Sequence, residues 1–86
     1  MINFFPIPKF QERLRLWQQS FSAHTSFAKD VDVEFIAEKF ELAGGSIINV
    51  VQYASLMALH RNENIIRYTD LLEGIRKELR KEGKTI

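Results

Sequence analysis

The sequence predicts an all-α domain, a small four-helix bundle preceded by a short extended N-terminal arm. Three observations point there. Apolar residues recur at helical spacing in four separate stretches. Pro6 and Pro8 hold the apolar start of the chain out of a helix. A glycine pair, Gly44–Gly45, opens a stretch that is apolar on most of its circumference. Such a helix has to be enclosed by its neighbours. In a chain of 86 residues that makes it the element around which the others pack.

Size and composition narrow the classes of function. Eighty-six residues suffice for one small domain. A hydrophobic content of 45% with 12% aromatics supports a packed core and argues against compositional disorder. The net charge of +1 demands neither a nucleic acid nor a membrane as partner. With no cysteine, disulfide frameworks and Cys-based zinc sites are excluded. No apolar run reaches membrane-spanning length and no signal peptide is recognisable, so the reading is a cytoplasmic protein without a membrane partner.

In chain order, Ile2–Phe5 reads as extended, possessing the apolar character of a strand with no partner in view. Pro8 suits a helix entry, and Phe10, Leu14, Trp17 and Phe21 then trace one helical face. Leu16 falls off that face, where it can pack on a second surface or meet a ligand. Ser20 to Ser26 reads as a small polar connection, with His24 a solvated loop residue. Asp32 is a good N-cap, Glu34 suits the first turn, and Val31 can staple against Ile36. Val33, Ile36, Ala37 and Phe40 give an amphipathic helix of roughly three turns. Gly44 and Gly45 are expected to end it and lead directly into the central helix, Ala43 to Arg61.

That central helix carries Ile47, Val50, Val51, Ala54, Met57 and Ala58, widened by Ile48, Leu56 and Leu59. Its first turn has a second aspect. Two glycines let a ligand approach the backbone, and the free N–H groups of a helix start favour an anion or a polar ring edge. Arg61–Asn64 reads as a turn and Ile65–Ile66 as a short extended piece. The last helix begins at Tyr68 or Thr69, turns Leu71, Leu72, Ile75 and Leu79 inward, and ends at Gly83. Its outer side mixes Arg76, Lys77, Arg80 and Lys81 with Glu73, Glu78 and Glu82, a solvated charged face with a favourable Glu73–Lys77 pair.

The chain lacks the chemistry of an enzyme acting alone. It has no phosphate-cradling G-x-x-x-x-G-K-[ST] loop. Its two histidines, His24 and His60, offer neither a zinc site nor a base beside a nucleophile. Catalytic and metal-binding residues are therefore expected to be none.

The ordered set F-P-I-P…R-L-R-L-W-Q, D-V-D-V-E-F-I-A-E-K-F, G-G-S-I-I-N-V-V-Q-Y-A and Y-T-D-L-L-E-G-I-R-K-E-L resembles the C-terminal helical lid of AAA+ ATPases, most closely the AAA clade. The resemblance makes residues 1–9 the linker and strand remnant of a large ATPase subdomain, and residues 10–86 the helical lid. It implies that Gly44 and Gly45 match the small-residue pair of the sensor 2 region, whose backbone approaches the adenine and ribose of ATP or ADP. It implies that Leu16 packs on the adenine ring, and that Ser20 stands where some relatives place a histidine facing the nucleotide. The frequent Asp after the small pair is Ser46 here, and no sensor arginine lies between Gly44 and Ser55. Phosphates, Mg²⁺ and hydrolysis then belong to the large subdomain, which leaves the isolated lid with weak or undetectable nucleotide affinity. Its implied partners are that large subdomain and neighbouring subunits of a ring homo-oligomer. The alternative from a different class is a free-standing helical module that binds a protein, or a nucleic acid through the basic last helix.

Overall fold

The computed structural model describes residues 7–83. Four helices and two short strands follow one another: α1 Phe10–Gln19, β1 Ser26–Phe27, α2 Val33–Lys39, α3 Gly44–His60, β2 Ile65–Ile66 and α4 Tyr68–Lys81. The mostly helical expectation holds, with one addition. β1 and β2 form a parallel pair, Ser26 opposite Ile65 and Phe27 opposite Ile66. The main helix contacts run in the series α2–α1–α3–α4, and β2 also packs on α3. Ile2–Phe5, expected to be extended, lies outside the described residues; residues 7–9 of the arm have no regular structure.

Helix α1 buries Trp17 completely, with Phe10 and Leu14 packed beside the core. Phe21, two residues past its end, meets the Phe27 ring edge-on at 5.2 Å between centroids. That contact anchors β1 to α1. Arg13 is also buried. Its Nε donates to the Ala37 carbonyl at 2.7 Å and its Nη1 to the Pro8 carbonyl at 2.7 Å. One guanidinium thus fastens α1 to the end of α2 and to the chain entering α1.

The start of α2 follows expectation: the Asp32 carboxylate accepts from the Phe35 N–H at 3.1 Å. Its end does not. The helix has seven residues, nearer two turns than three, and the glycine pair does not terminate it. Phe40 leaves helical geometry at φ −105° and ψ 105°. Phe40 and Leu42 are both buried while Glu41 between them is exposed, the alternation of an extended chain. Burying two large side chains two positions apart is what pulls residues 40–43 out of the helix.

Helix α3 lies between α1 and α4 and buries Ile47, Val50, Val51, Ala54 and Ala58. Its C-terminal half is less enclosed than its composition suggests: Leu56 is 47% and Leu59 67% exposed. Asn62 follows in the left-handed region, φ 58°, which asparagine tolerates better than most residues. Helix α4 starts at Tyr68 as predicted and buries Leu71 and Ile75. Gly74 is buried against α3; a Cβ there would sit 2.9 Å from Val50 Cγ1 and 3.3 Å from Val50 Cα. The glycine is what allows α3 and α4 to approach so closely. Lys77 lies 4.8 Å over the Tyr53 ring, while Glu73 pairs with Arg76 at 3.7 Å rather than with Lys77.

Candidate functional site

Helix α3 starts without a side-chain cap, because its N-cap is Ala43. The orphan donors of its first turn are therefore left to solvent or to a ligand. An open groove of about 590 Å³ lies there, lined by Ile7, Ala43, Gly44, Gly45, Ser46, Asn49 and Glu82. Because α3 and α4 run antiparallel, the start of one and the end of the other form its two sides.

The residues singled out in the sequence fall as follows. A Cβ placed on Gly44 would lie 3.7 Å from Leu16 Cδ1, so the leucine stands directly behind the first glycine. Leu16 is half-buried and packs on the core, with part of its surface open. A Cβ on Gly45 would meet nothing within 4 Å, so the second glycine faces open space. Ser20 caps the C-terminus of α1, its N–H donating to the Leu16 carbonyl at 3.0 Å. Neither Ser20 nor Leu16 lines the groove. The fold brings together Gly44, Gly45 and Leu16, with Ser20 one helical turn beyond the leucine.

Sequence reasoning missed Asn49, Glu78 and Glu82. Glu78 is buried, and its carboxylate accepts from Asn49 Nδ2 at 3.1 Å and Lys81 Nζ at 2.8 Å. Burial alone would raise its pKa; hydrogen bonds from Lys81, Asn49 and Ser46 outweigh that and hold it below the ordinary carboxylate range. A signal was present: Ser46 and Asn49 lie three apart on α3, and Glu78 and Glu82 four apart on the antiparallel α4. Without the pairing register of the two helices it pointed nowhere.

A second hollow, about 380 Å³, lies beside β2 and is lined partly by Asp30, Glu63, Arg67 and Tyr68. Glu63 and Arg67 pair with each other at 2.9 Å, and Glu63 also binds Arg61 at 2.8 Å. Those charges serve the turn between α3 and α4, which leaves the glycine-pair groove as the better candidate. Among the described residues, no three His, Cys, Asp or Glu side chains group as metal ligands. No described helix is long and apolar enough to cross a membrane.

No protein-family profile matches the chain. Over 71 residues it is 34% identical to the ATP-dependent zinc metalloprotease FtsH of Sulfurovum sp. (strain NBC37-1), a match covering 81% of this chain and 10% of that protein. The likeness supports a link to the AAA+ family. The chain spans about a tenth of the length of this curated relative, so the likeness concerns one segment of a much larger enzyme.

Proposed function

We propose that the chain is the C-terminal helical lid of an AAA+ ATPase, contributing to the adenine and ribose side of an ATP or ADP site. The observation that carries this reading is that Gly44 and Gly45 line an open groove together with the apolar Ile7, while Leu16 stands behind Gly44 without lining that groove. An apolar wall and a backbone without side chains are what a flat purine needs: contact area on the ring, and close approach to its polar edge. The similarity to a segment of an ATP-dependent enzyme agrees with it.

On this reading the chain is not catalytic by itself. The P-loop, the Mg²⁺ site and the residues of hydrolysis belong to a large subdomain outside these residues. The lid relays nucleotide state: bound nucleotide bridges lid and large subdomain, and the change in their angle is felt by neighbouring subunits of a ring. A cytoplasmic setting, with no membrane partner and no nucleic-acid partner, belongs to the same proposal.

Titration of the chain with ADP, followed by amide and methyl chemical shifts, tests the site. Shifts at Gly44, Gly45 and the Leu16 methyls, saturating only in the millimolar range, are expected, because half of the site is present. Gly45→Trp removes them while the fold persists. Shifts confined to other surfaces, or a response indifferent to Gly45→Trp, refute the assignment.

A further inference from the structure

We infer that the groove beside Gly44 and Gly45 takes the chain's own N-terminal arm, with the Phe5 ring as its occupant and the arm's carbonyls meeting the start of α3. The inference stands apart from the nucleotide reading and adds to it an occupant that a nucleotide has to displace.

The occupant is identified by where the described chain begins. Ile7, the first described residue, lines the groove and is still 47% exposed. The Pro8 carbonyl behind it accepts from the buried Arg13 Nη1 at 2.7 Å, which fixes the root of the arm. Phe5 is two residues before Ile7, roughly 7 Å along an extended chain. Both Phe5 and Ile7 precede a proline, and that position is pushed toward extended geometry. Alternate side chains of an extended chain share a face, so Phe5 joins Ile7 on the side of the groove and Phe4 turns away. The groove can accept the ring. Its Gly44 and Gly45 carry no side chains, and a Cβ on Gly45 would meet nothing within 4 Å. A flat ring can lie on that bare backbone and leave water, which is the driving force. Hydrogen bonding favours the same occupant. Helix α3 starts with no side-chain cap, so its first N–H groups lack acceptors. The arm has the opposite imbalance, because Pro6 and Pro8 each bring a carbonyl and no N–H. An apolar segment with surplus acceptors meets an apolar groove with surplus donors.

The test uses the full 86-residue chain without added ligand. Nuclear Overhauser contacts are expected between the Phe5 ring protons and the α-protons of Gly44 and Gly45. Phe5→Ser is expected to abolish them and to move the amides of Gly44, Gly45 and Ser46, whereas Phe4→Ser leaves those amides in place. Neither change touches the core, which among the described residues begins at Phe10, so the urea midpoint of Trp17 fluorescence should confirm that both variants fold. The inference is overturned if Phe5→Ser leaves the three amides unmoved, or if Phe4→Ser moves them as far. It is also overturned if the ring contacts arise between differently labelled chains and fade on dilution, since the occupant is then a second copy's arm. ADP supplies a separate readout. With the arm docked in about four molecules of five, Phe5→Ser strengthens the ADP response about fivefold, because the competent fraction rises to one. An ADP response absent from both forms removes the nucleotide reading and leaves the docking to be decided by the ring contacts and the amides.

Discussion

The Arg61 guanidinium meets the Asp70 carboxylate fork to fork, Nη1 lying 2.9 Å from Oδ1 and Nη2 2.7 Å from Oδ2. Arg61 is the C-cap of α3, and Asp70 sits in the first turn of α4, where it also accepts the Arg67 N–H at 2.9 Å. A single pair thus closes the turn that carries β2 and fixes how α4 returns along α3. Asp70→Asn keeps the shape but loses the charge-assisted fork and weakens the cap. The expected cost is about 2 kcal/mol, read as a lower urea midpoint of Trp17 fluorescence. Arg61→Lys should not restore it, since an ammonium cannot present the planar fork.

The same cluster sets the response to acid. Burial works to raise the Asp70 pKa, but the hydrogen bond from Arg61 and the Arg67 N–H prevail and lower it. The hydrogen bond from Arg61 likewise lowers Glu63. Glu78 is lowered as well. A carboxylate whose folded pKa lies below its unfolded value adds stability above the unfolded pKa, and loses it as pH falls through the folded one. Unfolding free energy should therefore hold from neutrality down to about pH 4 and decline below it. Urea titrations at stepped pH check this, and Asp70→Asn should flatten the acid limb. A stability that rises on acidification would contradict the assignment.

Gly74 predicts a packing failure. Alanine is the better helix former by about 1 kcal/mol, yet its methyl would sit 2.9 Å from Val50 Cγ1 and 3.3 Å from Tyr53 Cδ2. Because Val50 Cα is also only 3.3 Å away, α3 and α4 must move apart. Gly74→Ala is expected to destabilise the chain by about 1–3 kcal/mol. Val50→Ala removes the nearest clashing atom, so the double substitution should cost less than the sum of the two singles. Additive costs in that cycle would show that the contact is not the cause.

Arg13 carries a structural role that its place on an otherwise amphipathic helix does not announce. Replacing it with methionine retains much of the apolar stem but strands the carbonyls of Ala37 and Pro8. The expected cost is about 1–3 kcal/mol, with faster amide exchange at the end of α2 and the start of α1 as its local sign. Uniformly faster exchange, without a focus at those two places, would argue for general loosening instead.

What the sequence made legible follows from the range of the forces involved. The starts of α2 and α4, the span of α3 and the inward faces of Ile36, Ile47, Val50 and Ile75 rest on capping and helical period, which are local. The glycine pair was visible for the same reason. The β1–β2 pair was not, since two residues carry no period and Ser26 finds Ile65 only across the folded chain. The early end of α2 was hidden because burial of Phe40 and Leu42 overrode a helical pattern. Arg13, Gly74 and Glu78 resemble an exposed basic residue, a weak helix position and a solvated acid, until the neighbours that bury them are in place.

The two glycines and Leu16 allow folding and binding to be separated. Gly45 faces open space, so Gly45→Ala should leave stability unchanged or raise it by a few tenths of a kcal/mol through helix propensity. Gly45→Trp should also fold, yet abolish the ADP-induced shifts, because the indole would occupy the groove. Leu16 is different: it packs on the core as well as behind Gly44. Leu16→Ala should therefore weaken both, costing about 1–2 kcal/mol of stability for a half-buried leucine along with the ADP response. Paired measurements of urea midpoint and ADP titration on these variants check the split. If Gly45→Trp unfolds the chain, the second glycine is there for packing rather than for access. If Leu16→Ala loses stability but binds ADP unchanged, the leucine is a core residue alone and the purine contact lies elsewhere along the groove.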